Sequence, residues 1–427
     1  MAIAILFGVF ALLLALGVPV AFALATAALA TLFYIDLPPL VLVQQITAGA
    51  GSASLVAIPL FILAGEIMMR GGISERLIGL ASALVGRMRG GLGQVSIVSS
   101  LFFGGVSGSA IADVSAVGGA MIPQMVQRGY AKDYAVNVSI TAALVALLVP
   151  PSHNLILFSA AAGGGVSIVD LFAAGILPAI LMTLSMMIAA YVLARRAGYG
   201  TEAFPGGAVL LRRFVAALPG LLLVALIFFG IRAGIFTAVE SAAVAVVYAL
   251  LVAGVAYRRL NWPSFVDTVT HAARTTGAIL FVIAAAAAFG WLLAYLEVPA
   301  ATVDALRAIA HDKLMVLLLI VVVLLALGTF MDLAPMILIC TPIFLPVAKA
   351  YGIDPLQFGV VLILAGGIGL VTPPVGSVLF VGAAIGRIGI GEALRTIWPF
   401  WLAALLVLLA VTFLPSLSLW LPAVLKH

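Results

Sequence analysis

The stretch Gly105-Val106-Ser107-Gly108-Ser109 is answered 223 residues later by Gly328-Thr329-Phe330-Met331-Asp332. The same offset carries Pro123 onto Pro346, Gly129 onto Gly352, Pro150-Pro151 onto Pro373-Pro374 and Gly163 onto Gly386. Six of the ten Gly and Pro residues between 104 and 163 thus meet their own kind. Self-similarity at a fixed offset marks a duplicated architecture. Each copy contains one apolar stretch opened by glycine and polar residues, and another opened by a proline pair. Interrupted apolar segments in matching positions of two halves point to a transport site between them.

Composition around this pair sets the class. The chain has 427 residues, 65% hydrophobic and 8% charged, with mean hydropathy +1.34. That lies outside the range of soluble domains. Several apolar stretches reach the roughly 20 residues that cross a bilayer as helix. The first begins at Met1 without a basic n-region or cleavage site, so it reads as a retained helix. The single Cys340 excludes an internal disulfide framework. A net charge of +5 reads as loop topology, not nucleic-acid binding. Zinc-type Cys/His spacing, a P-loop and a dinucleotide fingerprint are all absent from the sequence.

Full crossings are expected at 3–33, 52–69, 134–161, 170–193, 215–231, 236–257, 277–296, 356–386 and 398–422. Two further stretches, 94–124 and 314–348, are broken near the middle at Gly104–Ser109 and Gly328–Asp332. Each could be a re-entrant hairpin, tolerated where protein or a water-filled cavity shelters the open backbone. The charges decide. With both stretches as hairpins, Arg70, Arg76, Arg87, Arg89, Arg128, Lys132, Arg195, Arg196, Arg212, Arg213, Arg258, Arg259, Arg274, Arg387 and Arg395 fall on one side. That side must be cytoplasmic. Crossing 170–193 then runs inward and its partner 398–422 outward, so the repeats are inverted, with helix 215–231 supplying the flip.

The reading is an all-α polytopic membrane protein: an inverted repeat with two re-entrant hairpins and two broken transmembrane helices. Residues 1–93 form scaffold helices and a first interfacial arm (73–88). Residues 94–166 form the first half of a transport domain. Residues 167–313 form further scaffold and a second arm (261–275), 314–390 the second transport half, and 391–427 a C-terminal scaffold helix. Both arms fit amphipathic helices lying in the interface, or ordinary loop helices.

The chemistry concentrates at the breaks. Ser107 and Ser109 offer hydroxyls, and the glycines free backbone carbonyls; hard cations want such oxygen ligands. Asp332 takes the place of Ser109 in the second copy, and a carboxylate there should line a cavity or pair. Each proline pair removes backbone donors and frees carbonyls for a cation. The N-terminus of the following half-helix favours an anion. His153 and Asn154 could donate to a substrate carboxylate or satisfy freed backbone groups. Asp113 lies one turn beyond Ser109 and braces the hairpin or acts as a ligand. An intramembrane enzyme would need a nucleophile with a base, or paired carboxylates. The polar residues here are Ser, Thr, Asn and one His, with scattered acids, so an enzyme is not expected.

Five segments carry a resemblance: Gly-Val-Ser-Gly-Ser-Ala-Ile-Ala-Asp (105–113), Ile-Pro-Gln-Met-Val-Gln-Arg-Gly-Tyr (122–130), Val-Pro-Pro-Ser (149–152), Val-Ser-Ile-Val-Asp-Leu-Phe-Ala-Ala-Gly-Ile-Leu-Pro (166–178) and Gly-Leu-Val-Thr-Pro-Pro-Val-Gly (369–376). Nearly the whole chain resembles the large, DctM-type membrane subunit of TRAP (tripartite ATP-independent periplasmic) transporters. The resemblance implies a sodium-driven elevator in the bacterial inner membrane that imports an organic anion, with no cofactor beyond coupling sodium. Its implied partners are a small four-helix membrane subunit and a periplasmic substrate-binding protein. Sodium sites are implied at Ser107, Gly108, Ser109, Val149, Pro150, Gly328, Asp332, Val371, Thr372 and Pro373. Substrate contacts are expected at Ser152, His153, Asn154, Pro374 and Gly376. A self-sufficient carrier of the same architecture is the alternative within transport.

Overall fold

In the computed structural model, every regular element among the described residues is a helix, and the 223-residue offset carries helix onto helix. The structure describes residues 1–51, 53–201, 203–310 and 312–425. The first copy opens with α1 (Ala2–Ala15), α2 (Val20–Tyr34), α3 (Leu40–Ala50), α4 (Ala57–Arg70) and α5 (Ile73–Val85). Hairpin 1 follows: α6 (Gly91–Ser107) rises to the tip, and α7 (Ala110–Asp113) returns through a π turn into α8 (Gly119–Gln127). The broken helix is α9 (Lys132–Ala142) and α10 (His153–Ala161), and α11 (Ile168–Arg196) closes the copy. After the linking α12 (Gly207–Arg232), the second copy runs α13 (Ala238–Leu250), α14 (Trp262–Tyr295) and α15 (Val298–Ile309). Hairpin 2 is α16 (Lys313–Gly328) and α17 (Leu333–Ala350), and its broken helix is α18 (Pro355–Leu370) and α19 (Ser377–Gly386). The chain ends with α20 (Ile390–Thr396), α21 (Trp398–Phe413) and α22 (Ser416–Leu425).

Both expected hairpins and both expected broken helices are present, and several expected boundaries move. The 3–33 crossing is two packed helices, α1 and α2, parted where Gly17 takes φ +78° ahead of Pro19. A left-handed glycine followed by proline ends a helix however apolar its flanks. The 52–69 crossing is α4, and its first residue, Ser52, lies outside the described residues. The expected arm at 261–275 is instead the opening of the 34-residue α14, capped by Asn261, whose side chain accepts from the Ser264 amide. Position 73 plus 223 is 296, so the positional counterpart of α5 is α15. The last crossing bends by 60° between α21 and α22.

Packing explains where glycine and polar residues stand. A Cβ on Gly104 would lie 2.6 Å from Ala146 Cα; one on Gly369, the counterpart of Ala146, would lie 2.4 Å from the Gly328 carbonyl carbon. Each hairpin therefore crosses its broken helix at backbone contact, a closeness that small residues permit inside a membrane. Tyr134 and its counterpart Gln357 tether the broken helices by different chemistry. The Tyr134 hydroxyl donates to Ala190 O (3.2 Å), and Gln357 Nε2 donates to Val411 O (3.1 Å) and Thr412 O (3.0 Å).

The α5 arm, bent 67° from α4, is pinned from several sides. The Arg76 guanidinium lies 3.5 Å above the Tyr257 ring, and Glu75 pairs with Arg259 at 3.6 Å. Arg213 donates to Gly79 O (2.9 Å), and the Tyr257 hydroxyl to Ala216 O (2.8 Å). Five helices among the described residues are long and apolar enough to span a bilayer singly: α11, α12, α13 with its π turn, α14 and α17. Exposed Ile188, Val247, Val255 and Leu402 show apolar surface that suits lipid.

Candidate functional site

The two hairpin tips and the head of α10 converge on one cavity of about 600 Å³. Ser109 from hairpin 1, Asp332 from hairpin 2, and His153 and Asn154 from α10 line one side. Glu66 and Arg70 of α4, with His271 and Thr275 of α14, line the other.

Local chemistry shapes each tip. At hairpin 1, α6 ends because Gly108 turns left-handed (φ +58°), with its amide bonded to Gly104 O (3.0 Å). A Cβ there would stand 3.1 Å from the His153 amide and ring, so only glycine lets the tip sit on the head of α10. Asn154 Nδ2 donates to Gly108 O (2.9 Å), and Ser109 caps α7 by accepting from the Ala112 amide (3.4 Å). The Ser107 hydroxyl stays within 3.4 Å of the Ser109 backbone. At hairpin 2, the Val375 amide donates to Thr329 O (3.0 Å) and Ser377 Oγ to Asp332 Oδ1 (3.1 Å). Position 154 plus 223 is 377, so the same register position ties each half-helix to its facing tip.

The remaining expected residues stand outside this cavity. Ser152 is buried and donates to Leu147 O (2.7 Å), closing the turn before α10. Val149 and Pro150 line a separate apolar cavity of about 410 Å³ with Gly105 and Val224. Gly328 packs on the backbones of Gly366 and Gly369. Val371 O accepts from Trp401 Nε1 (3.3 Å), and Thr372 Oγ1 donates back to Ile368 O (2.7 Å). Gly376 takes a positive φ of 32° where Pro373-Pro374 turns into α19, and both proline pairs contain a cis bond. Asp113 is fully buried and accepts from Ser100 Oγ (2.6 Å), bracing the two limbs of hairpin 1.

The opposite wall was not expected. His271 Nδ1 lies 3.1 Å from Glu66 Oε1, and Arg70 Nε lies 3.6 Å from Glu66 Oε2. Arg70 Nη1 also bonds to Asp267. Glu66 is an ionisable residue inside an apolar crossing, a signal that marks functional positions in membrane proteins. Chemically, the tips present oxygen donors and one carboxylate, α10 presents the positive end of its dipole, and the far wall presents a charged cluster.

Residues 7–417 match the family described as "Tripartite ATP-independent periplasmic transporter, DctM component". The chain is 36% identical over 405 residues to the 2,3-diketo-L-gulonate TRAP transporter large permease protein YiaN of Escherichia coli, covering 95% of each chain. It is 35% identical over 418 residues to the sialic acid TRAP transporter large permease protein SiaM of Vibrio cholerae, covering 98% of this chain and 97% of that one. Among solved structures it shares its fold with the YdaH transporter of Alcanivorax borkumensis. The TM-score is 0.63 at 17% identity, over 89% of this chain and 86% of that one.

Proposed function

The chain belongs to the DctM family of tripartite ATP-independent periplasmic transporters, and from that premise we propose that it imports an organic acid driven by sodium. It is a multi-pass permease of the bacterial inner membrane, not an enzyme. Its relatives are named for 2,3-diketo-L-gulonate and sialic acid, both organic acids, so a carboxylate is the substrate class proposed. A small membrane subunit and a periplasmic binding protein complete the tripartite assembly in this reading. The binding protein makes the main selection of substrate.

One observation carries the proposal: both tips, related by the repeat, meet at a cavity that reaches the arginine-bearing end of α4. By the charge distribution that end is cytoplasmic, which supports reading the cavity as one open to the inside. Sodium is held by oxygen donors around Ser107–Ser109 and Asp332, with carbonyls freed at Val149–Pro151 and Val371–Pro374. These are the donor types a hard cation takes. Bound sodium stiffens the tips, and the carboxylate then settles between Ser109, His153, Asn154 and the α10 N-terminus. Residues 94–166 and 314–390 move together as an elevator against the remaining scaffold.

The test is sodium-driven uptake in proteoliposomes that contain the chain, its small subunit and its binding protein. Ser109→Ala and Asp332→Ala are each expected to raise the sodium concentration for half-maximal uptake in a protein that still folds. Unchanged sodium dependence in both would remove the site assignment. Uptake by the chain alone would favour a self-sufficient carrier.

A further inference from the structure

Three charged or titratable side chains on the far side of the cavity, Glu66, Arg70 and His271, have no part in the reading above, and a fourth, Asp267, pairs with Arg70. Glu66 and Arg70 lie one turn apart on α4, Asp267 and His271 one turn apart on α14, and the two pairs face each other. Among the described residues lining the cavity, Arg70 is the only lysine or arginine. The wall formed by the tips and α10 offers an anion the partial charges of the α10 N-terminus, the Ser109 hydroxyl and the His153 and Asn154 side chains, and Asp332 repels it. An entering carboxylate therefore meets its one full, permanent positive charge on α4.

Arg70 holds its two acids differently. Glu66 is buried and anchored by His271, so it stays in place. The Asp267 side chain is 69% exposed. An exposed carboxylate loses little by returning to water, because surface ion pairs are weak. Arginine's planar fork suits a second carboxylate arriving in the same direction.

We propose that Arg70 receives the substrate's carboxylate on the far wall of the cavity, with Asp267 as its resting counter-ion. Substrate displaces Asp267 on entry, and Asp267 reclaims Arg70 as the acid leaves for the cytoplasm. Arg70 is then a substrate contact and Asp267 a release aid. The inference rests on the organic-acid reading and adds a named anion contact to it.

The test uses the reconstituted three-component transporter and counterflow of labelled succinate, sialic acid and diketogulonate, with unlabelled acid titrated on the cytoplasmic face. Asp267→Asn is expected to lower the cytoplasmic half-saturation concentration about tenfold and slow release, because the competitor is gone. Arg70→Gln is expected to raise it about tenfold, with Arg70→Lys between. A pair that merely braces α4 against α14 gives another pattern. Both single variants would then shift in one direction and lose thermal stability together, and the exchange Arg70→Asp/Asp267→Arg would restore wild type. That pattern, or unchanged half-saturation in both, overturns the inference. If Arg70→Gln fails to fold, the sign of the Asp267→Asn effect decides alone. A wild-type protein that carries none of the three acids would instead bring down the transport reading and this inference with it.

Discussion

The two hairpin tips reach one cavity by different bonds. At the first, an amide side chain, Asn154, grips a backbone carbonyl, Gly108 O, inside the protein. At the second, the equivalent residue Ser377 grips a carboxylate, Asp332, that is exposed to the cavity. Geometry is kept across the repeat while formal charge is not. The first tip is neutral, and in the proposed reading its oxygens serve sodium while its place beside the α10 N-terminus suits a substrate anion. The second carries a negative charge on a displaceable partner, suited to a cation. Duplication supplied the scaffold twice, and divergence at single positions changed the charge that each tip brings to the cavity.

The largest test of that comparison is at the backbone crossing. Gly369→Ala gives the second copy the residue that the first copy has at Ala146, and places a methyl 2.4 Å from the Gly328 backbone. Overpacking of that kind is expected to cost about 3 kcal/mol, seen as a lowered melting temperature and reduced recovery of folded protein. Gly328→Ala, with its nearest neighbours at 3.2 Å, should cost less. A Gly369→Ala protein as stable as wild type would show that the hairpins are not set by this contact.

Asp332→Ser makes the second tip a chemical copy of the first. It is expected to raise the sodium concentration for half-maximal uptake about tenfold, as loss of a charge-assisted ligand does, with folding intact. An unaltered sodium requirement would mean that the charge difference between tips has no bearing on ions. A smaller effect separates the grips themselves. Asn154→Ala leaves Gly108 O without its buried donor and should destabilise by about 1–3 kcal/mol. Ser377→Ala, whose partner is exposed, should cost about 0.5 kcal/mol. Thermal melts of the two variants give the ratio, and equal losses would erase the proposed distinction.

The hairpins and broken helices were legible because Gly and Pro interrupt apolar sequence at matched positions, and arginine sidedness allowed only one topology. The second arm was misread for a physical reason. Asp267, His271 and Arg274 give the head of α14 an amphipathic look, yet Asp267 and His271 serve partners on α4, and the helix runs on beneath them. The α1–α2 junction was hidden because a turn made by Gly17 and Pro19 needs no polar residue. Of the cavity, Ser109, His153, Asn154 and Asp332 were visible as polar residues at breaks. Thr372 and Ser152 were visible for the same reason, but their hydroxyls bond back to Ile368 O and Leu147 O, a matter of side-chain direction that spacing alone does not encode. Glu66 could have been found from its charge within an apolar crossing.

The pinned α5 arm has a mechanical consequence. With Arg76 over Tyr257, Glu75 on Arg259 and Arg213 on Gly79, this helix is tied to α12 and to the turn that precedes α14. The chain then passes through Gly86 and Gly90 (φ +67°) before hairpin 1 begins at Gly91. If hairpin 1 travels against α12 as proposed, the short glycine elbow at 86–91 is where the chain can bend, with α5 as its mount.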